Sequence, residues 1–189
     1  ELAKELEARW DTYAARANVL PLGTWRGASK KAQVNRKQRT FSLKAGDNLS
    51  ADEGPFVEKR PIRIGVELTK AGTDGVLVAQ GGTAEGFSLY VKDGILTFVT
   101  RRGGKLSKVS ADSKLYDTVT SVEARLSKTG EVTLTVDGKS VATGSVAEGM
   151  PRHPIDGLQV GSDEGGFVGE YKTPFPFTGE IGSVTIDLK

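Results

Sequence analysis

Two Asp-Gly dipeptides, Asp93-Gly94 and Asp137-Gly138, constrain this chain most, because each interrupts a run of alternating hydrophobicity. Before the first, Phe87, Leu89 and Val91 alternate with Ser88, Tyr90 and Lys92; after it come Ile95, Leu96, Thr97 and Phe98. Before the second, Val122, Ala124 and Leu126 lead into Lys128-Thr129-Gly130, and Val132, Leu134 and Val136 follow. Apolar side chains at every second position put one strand face on a core and leave the other wet. Asp-Gly supplies the positive φ angles that a tight hairpin turn requires. The stretch 75–137 therefore reads as an antiparallel meander, with Phe87, Leu89, Val91, Leu134 and Val136 as predicted core residues.

The same period continues on both sides. Ile62, Ile64, Val66 and Leu68 alternate with Arg63, Gly65 and Glu67. A first strand is expected at 40–44, a turn-rich loop at 47–55, and later strands at 140–145, 158–161 and 177–188. The last adds Ile181, Val184, Ile186 and Leu188, and its step of three at Gly182-Ser183 points to a bulge. Short strands separated by Gly-containing turns make an all-β fold, a two-sheet antiparallel β-sandwich over 61–189. The pattern alone leaves an immunoglobulin-like sandwich and a jelly roll both open.

Residues 1–21 follow another period. Leu2, Leu6, Trp10, Tyr13 and Ala17 are spaced as one face of an α-helix, Glu5 and Arg9 stand four apart in the favourable order, and Pro21 stops the pattern. The apolar stripe needs a partner surface, and the expectation is that it docks on the sandwich through Trp10 and Tyr13. Residues 22–60 read as a linker and first strand; the basic stretch 30–39, with Lys30, Lys31, Arg36, Lys37 and Arg39, reads as a solvated loop of open role.

A chain of 189 residues can bury a core without staples, and zero Cys rules out disulfides and thiolate metal sites. With 26 basic and 24 acidic residues, net +2, it has no electrostatic footprint for nucleic acid. No apolar run approaches the roughly 20 residues of a membrane-spanning helix. The chain opens on Glu1 within a helical pattern and without Met, which suggests a piece of a longer protein with any export signal upstream.

Catalytic machinery is hard to assemble from this composition. The one histidine, His153, sits in the loop Met150-Pro151-Arg152-His153-Pro154 and reads as a surface residue. Glu123 and Glu131 read as isolated on the two arms of a hairpin rather than as a glycosidase pair. Asp156, Asp163, Glu164 and Glu170 surround the Gly-rich stretch GSDEGGFVGEY; they are the candidate calcium ligands, against the plainer reading of an ordinary loop. Trp25, Phe167 and Tyr171, with Trp10 and Tyr13, are the candidate ligand or docking surface, Phe175 and Phe177 being further candidate aromatics; the plainer reading is that aromatics near a C-terminal strand belong to the core.

Two stretches carry a family resemblance. The opening ELAKELEARWDTYAARANVLP, with Leu6-x-x-x-Trp10 and the exit Val19-Leu20-Pro21, resembles the helix that closes the catalytic domain of bacterial arylsulfatases of the alkaline-phosphatase-like superfamily. The segments GVLVAQGG at 75–82, SLYVKDG at 88–94, VGSD at 160–163 and PFPFTGEI at 174–181 resemble the concanavalin-like, laminin-G-like β-sandwich extension found at the C-terminus of some of those enzymes. The resemblance implies a concanavalin-like jelly roll and a sulfatase parent, periplasmic or extracellular. It also implies an upstream sulfatase catalytic domain in the same chain as partner. None of that family's catalytic residues carries over, because the formylglycine position, a Cys or Ser two before a Pro and four before an Arg, has no counterpart here. The implied role is a non-catalytic accessory domain that shapes substrate access or assembly; the alternative is a carbohydrate-binding, lectin-like module with a glycan as partner.

Overall fold

The structure, a computed structural model, describes residues 2–16, 36–147 and 149–189. Trp25 and most of the basic stretch 30–39 lie outside the described residues. The chain divides into two compact units, 1–30 and 31–189.

In the first unit, α1 (Leu2–Arg16) is the expected helix. Arg9 Nη2 donates to Glu5 Oε1 at 2.7 Å across one turn. The rings of Trp10 and Tyr13 lie 6.0 Å apart, and both side chains are exposed, as are Leu2 and Leu6.

The second unit is built from twelve strands: β1 (Thr40–Leu43), β2 (Asn48–Leu49), β3 (Ile62–Lys70), β4 (Gly75–Gly81), β5 (Gly86–Lys92), β6 (Ile95–Arg102), β7 (Lys105–Ser110), β8 (Ser121–Leu126), β9 (Glu131–Val136), β10 (Lys139–Ser145), β11 (Leu158–Val160) and β12 (Glu180–Leu188). They form two antiparallel sheets of six, ordered β1-β12-β3-β8-β9-β10 and β2-β11-β4-β5-β6-β7. The two Asp-Gly turns adopt the positive φ their chemistry favours: 53° and 82° at Asp93 and Gly94, 45° and 77° at Asp137 and Gly138. The expected bulge is present as a register shift between Ile181 and Ser183. The inner faces meet in one core in which Ile64, Phe87, Leu89, Phe98, Leu134 and Ile186 are buried. Val91 and Val136 join them, whereas Ile181, beside the bulge, is only half-buried and packs at the margin.

Several boundaries depart from the sequence reading. The sandwich begins at Thr40, not at 61, because β1 pairs with β12 and β2 with β11. β2 falls in the stretch expected to be loop, and β7 in the gap after Gly103-Gly104. The outer face of β4–β6 is not wet. Ser88 and Tyr90 are buried because the segment 161–177 lies over that sheet, packing Val168 and Tyr171 against Val76, Ala79, Tyr90 and Val99. Among the described residues of this unit, no segment lies over the outer face of the other sheet.

Candidate ligand-binding face

Antiparallel register assembles the outer face of the first sheet. Thr40 lies opposite Asp187, Asp187 opposite Arg63, Arg63 opposite Arg125, and Arg125 opposite Thr133. A second row runs Ser42, Thr185, Gly65, Glu123 and Thr135. Alternation sends all of these outward while Ile62, Ile64 and Val66 fill the core. Two arginines directly opposite each other on adjacent strands repel, which a sheet built for stability alone would avoid.

Glu123 resolves that repulsion. Its Oε2 accepts from Arg63 Nε at 2.6 Å and its Oε1 from Arg125 Nε at 2.5 Å, so one carboxylate bridges both guanidinium groups. Arg63 Nη1 also donates to Asp187 Oδ2 at 2.9 Å, and Thr40 Oγ1 donates to Asp187 Oδ1 at 2.8 Å. The Thr40 hydroxyl, and after it the Arg63 guanidinium, hold the Asp187 carboxyl below its ordinary range; these hydrogen bonds, led by Asp187, in turn raise Arg63. The Arg125 side chain remains 64% exposed, and its two terminal nitrogens make no hydrogen bond among the described residues. A guanidinium fixed through Nε presents a rigid fork suited to a carboxylate or a pair of hydroxyls. Gly65 adds no side chain between the rows; a Cβ there would meet only Arg63 Nη2, at 3.8 Å.

Two hollows flank this network. One, of about 720 Å³, is lined by Thr40, Arg63, Arg125, Glu131, Thr133 and Asp187 among others. The other, of about 440 Å³, adds Gly65, Glu67, Glu123 and Thr135. Among the described residues, no aromatic lines either. Both oxygens of Glu123 are occupied by cationic donors, so it is neither a free base nor a nucleophile. Glu123 and Glu131 stand on the two arms of the β8–β9 hairpin as expected, and strand register brings Arg63 and Arg125, not a second carboxylate, to Glu123.

The residues expected to act from sequence are dispersed. Asp156 and Asp163 line one small cavity of about 210 Å³ with Asn48, Gln159 and glycine backbone. Glu164 and Glu170 do not line it; Glu164 is exposed, and Glu170 pairs with Lys108. Asp163 is buried, and its Oδ2 already accepts from Tyr171 Oη at 2.7 Å and from Val168 N at 3.3 Å. Of the four candidate calcium ligands, only Asp156 and Asp163 are therefore brought together, and one Asp163 oxygen is already engaged. Among the described residues no group of three or more His, Asp or Glu could hold a metal.

Tyr171 is no ligand platform: it is buried, its oxygen accepts from the Ser88 hydroxyl at 3.0 Å while its one hydrogen goes to Asp163, and burial pushes that hydroxyl far above its ordinary value. Phe167 is exposed, with the Arg101 guanidinium 5.3 Å from its ring centre. His153 is half-buried rather than on the surface. Its ring packs 4.7 Å from Phe56, Nε2 lies 3.0 Å from Ala51 O, and burial lowers its pKa.

Together, the two sheets, the core and the covering loop define a concanavalin-like or laminin-G-like β-sandwich. No protein-family model matches the sequence, and no curated protein matches it. Solved structures do match. The CBM40 domain of the Ruminococcus gnavus IT-sialidase, bound to α2,3-sialyllactose, aligns with a TM-score of 0.55 at 16% identity, over 79% of this chain and 89% of that one. Domains LG4-5 of the mouse laminin α1 chain align at 0.57 and 16%, over 80% of this chain and 42% of theirs. The leech intramolecular trans-sialidase aligns at 0.51 and 15%, over 79% of this chain and 25% of its own. The chain thus spans less than half of the laminin pair and a quarter of the leech enzyme. None of these three is a sulfatase.

Proposed function

We propose that the sandwich is a non-catalytic carbohydrate-binding module working outside the cell, and that its ligand lies on the outer face of the first sheet. The observation that carries this is the row Thr40-Asp187-Arg63-Arg125-Thr133, with Glu123 locking two guanidinium groups on an open face between two hollows. Such a face offers fixed, planar, charge-assisted donors and no reactive group, which suits recognition of hydroxyls and carboxylates. The Ruminococcus gnavus neighbour, whose ligand is an acidic oligosaccharide, supports a glycan as partner. Attachment to a sulfatase catalytic domain rests on the sequence resemblance alone.

An array of neutral and acidic glycans tests this, probed with the protein and with Arg125→Ala. Capture that disappears in the variant, with an unchanged far-UV dichroism spectrum, is the expected result. A blank array, or capture indifferent to Arg125→Ala, sinks the proposal.

A further inference from the structure

We infer that this face takes an interior stretch of an extended polysaccharide in which a carboxylate-bearing sugar is flanked by uncharged ones. The inference rests on the glycan-binding reading and specifies its ligand.

Length and openness come first. The two hollows share Arg63, Arg125 and Thr133 and diverge from them: one continues to Pro61, Ser127 and Lys189, the other to Glu67, Ser121 and Gly138. They lie end to end along the strands. On β3 they reach from Pro61 to Glu67, a run of about 20 Å at about 3.4 Å per residue. The arginine pair stands about a third of the way along that run, two residues from Pro61 and four from Glu67, with hollow on either side. A sugar at the end of a glycan would occupy the arginines and one hollow only, whereas a chain passing through fills both.

Charge decides what the chain carries. Where the hollows meet, the Arg125 fork and Arg63 Nη2 make no hydrogen bond among the described residues, the arrangement that accepts one carboxylate in bidentate fashion. At the periphery, exposed Glu131 stands in one hollow and exposed Glu67 in the other. Arg63, Arg125 and Lys189 face Glu67, Glu123, Glu131 and Asp187, so the face as a whole is not basic. A polymer charged on every sugar would bring carboxylates beside Glu67 and Glu131. A polymer with neutral sugars on either side of its acidic one would bring hydroxyls, which those carboxylates accept. The hydroxyls of Thr133 and Thr135 add neutral partners, and with no aromatic ring among the described residues lining either hollow, hydrogen bonding rather than stacking sets the specificity.

Calorimetric titration of the whole chain tests this with three kinds of probe. Hyaluronan fragments of two, four and six sugars alternate a uronic acid with an uncharged N-acetyl sugar; hexagalacturonate carries a carboxylate on every ring; 3′-sialyllactose carries its acid at one end. The six-sugar hyaluronan fragment is expected to bind at least about tenfold tighter than the two-sugar fragment, sialyllactose or hexagalacturonate. Glu67→Gln combined with Glu131→Gln is expected to narrow the gap to hexagalacturonate. Equal affinity for the two- and six-sugar fragments, or tighter binding of sialyllactose, would overturn the inference in favour of a terminal sugar and leave the glycan reading standing. Tightest binding of hexagalacturonate would overturn it in favour of a polyanion. Silence from all three overturns it as well, and only a blank glycan array beside that silence removes the glycan reading too.

Discussion

Replacing Tyr171 by Phe removes one oxygen from the fastening that holds segment 161–177 against the second sheet. The hydroxyl stands 2.7 Å from Asp163 Oδ2 and 3.0 Å from Ser88 Oγ, and all three residues are buried. The ring itself stays, with Tyr90 and Phe175 centred 5.0 and 5.1 Å away, so apolar packing is nearly unchanged. What is lost is a hydrogen bond to a buried carboxylate, worth about 1.5–3 kcal/mol, together with the weaker one to Ser88. The remaining donor to Asp163 is the Val168 N–H at 3.3 Å, so a loss of about 2–3 kcal/mol is expected at neutral pH. Burial already raises the Asp163 pKa from its ordinary 3.8, and the Tyr171 donor pulls it back down. Without that donor the folded protein holds the Asp163 proton more tightly than the unfolded chain does. An acid raised in the folded state makes stability fall as pH climbs through its folded pKa. The deficit of the variant should therefore be small near pH ~4 and grow toward neutrality. Urea unfolding at several pH values reads it. A deficit under about 0.5 kcal/mol at neutral pH, or one independent of pH, refutes the reasoning.

Leu134→Ala, at a fully buried core position, should cost about 2–5 kcal/mol in the same assay; a loss near zero would contradict the packing described. Asp137 is held down to about 2, first by the Tyr116 hydroxyl and also by the Thr120 and Ser121 N–H groups. Its contribution is present above the ordinary 3.8 and is lost as pH falls toward about 2, so Asp137→Asn should flatten the acid limb of the stability curve between those values. An unaltered acid limb would exclude that role. Phe167→Ala should leave glycan affinity unchanged, and a large loss of binding would move the site to the loop it occupies.

The sandwich was legible because its signals are local. Alternation and Asp-Gly turns lie within ten residues of each other, and the structure places those turns where the chemistry requires. β2 escaped notice because two residues carry no period. The proposed binding face was invisible for the opposite reason. Arg63 and Glu123 are sixty positions apart, and only the pairing of β3 with β8 makes them partners. Arg63, Glu123 and Arg125 were visible as outward positions of alternating strands, but nothing local says which strand lies beside which. Tyr171 carried both a surface and a core reading for a related reason: only the fold of the loop over Ser88 decides for the core.

The central claim is that ligand binds on the outer face of the first sheet, and amide chemical-shift mapping tests it most directly. On titration with the six-sugar hyaluronan fragment, the largest shifts are expected at Arg63, Gly65, Glu123, Arg125 and Thr133, with the core side of the second sheet silent. Shifts concentrated instead between Asp156 and Phe167, around the small cavity at the sandwich rim, would contradict it.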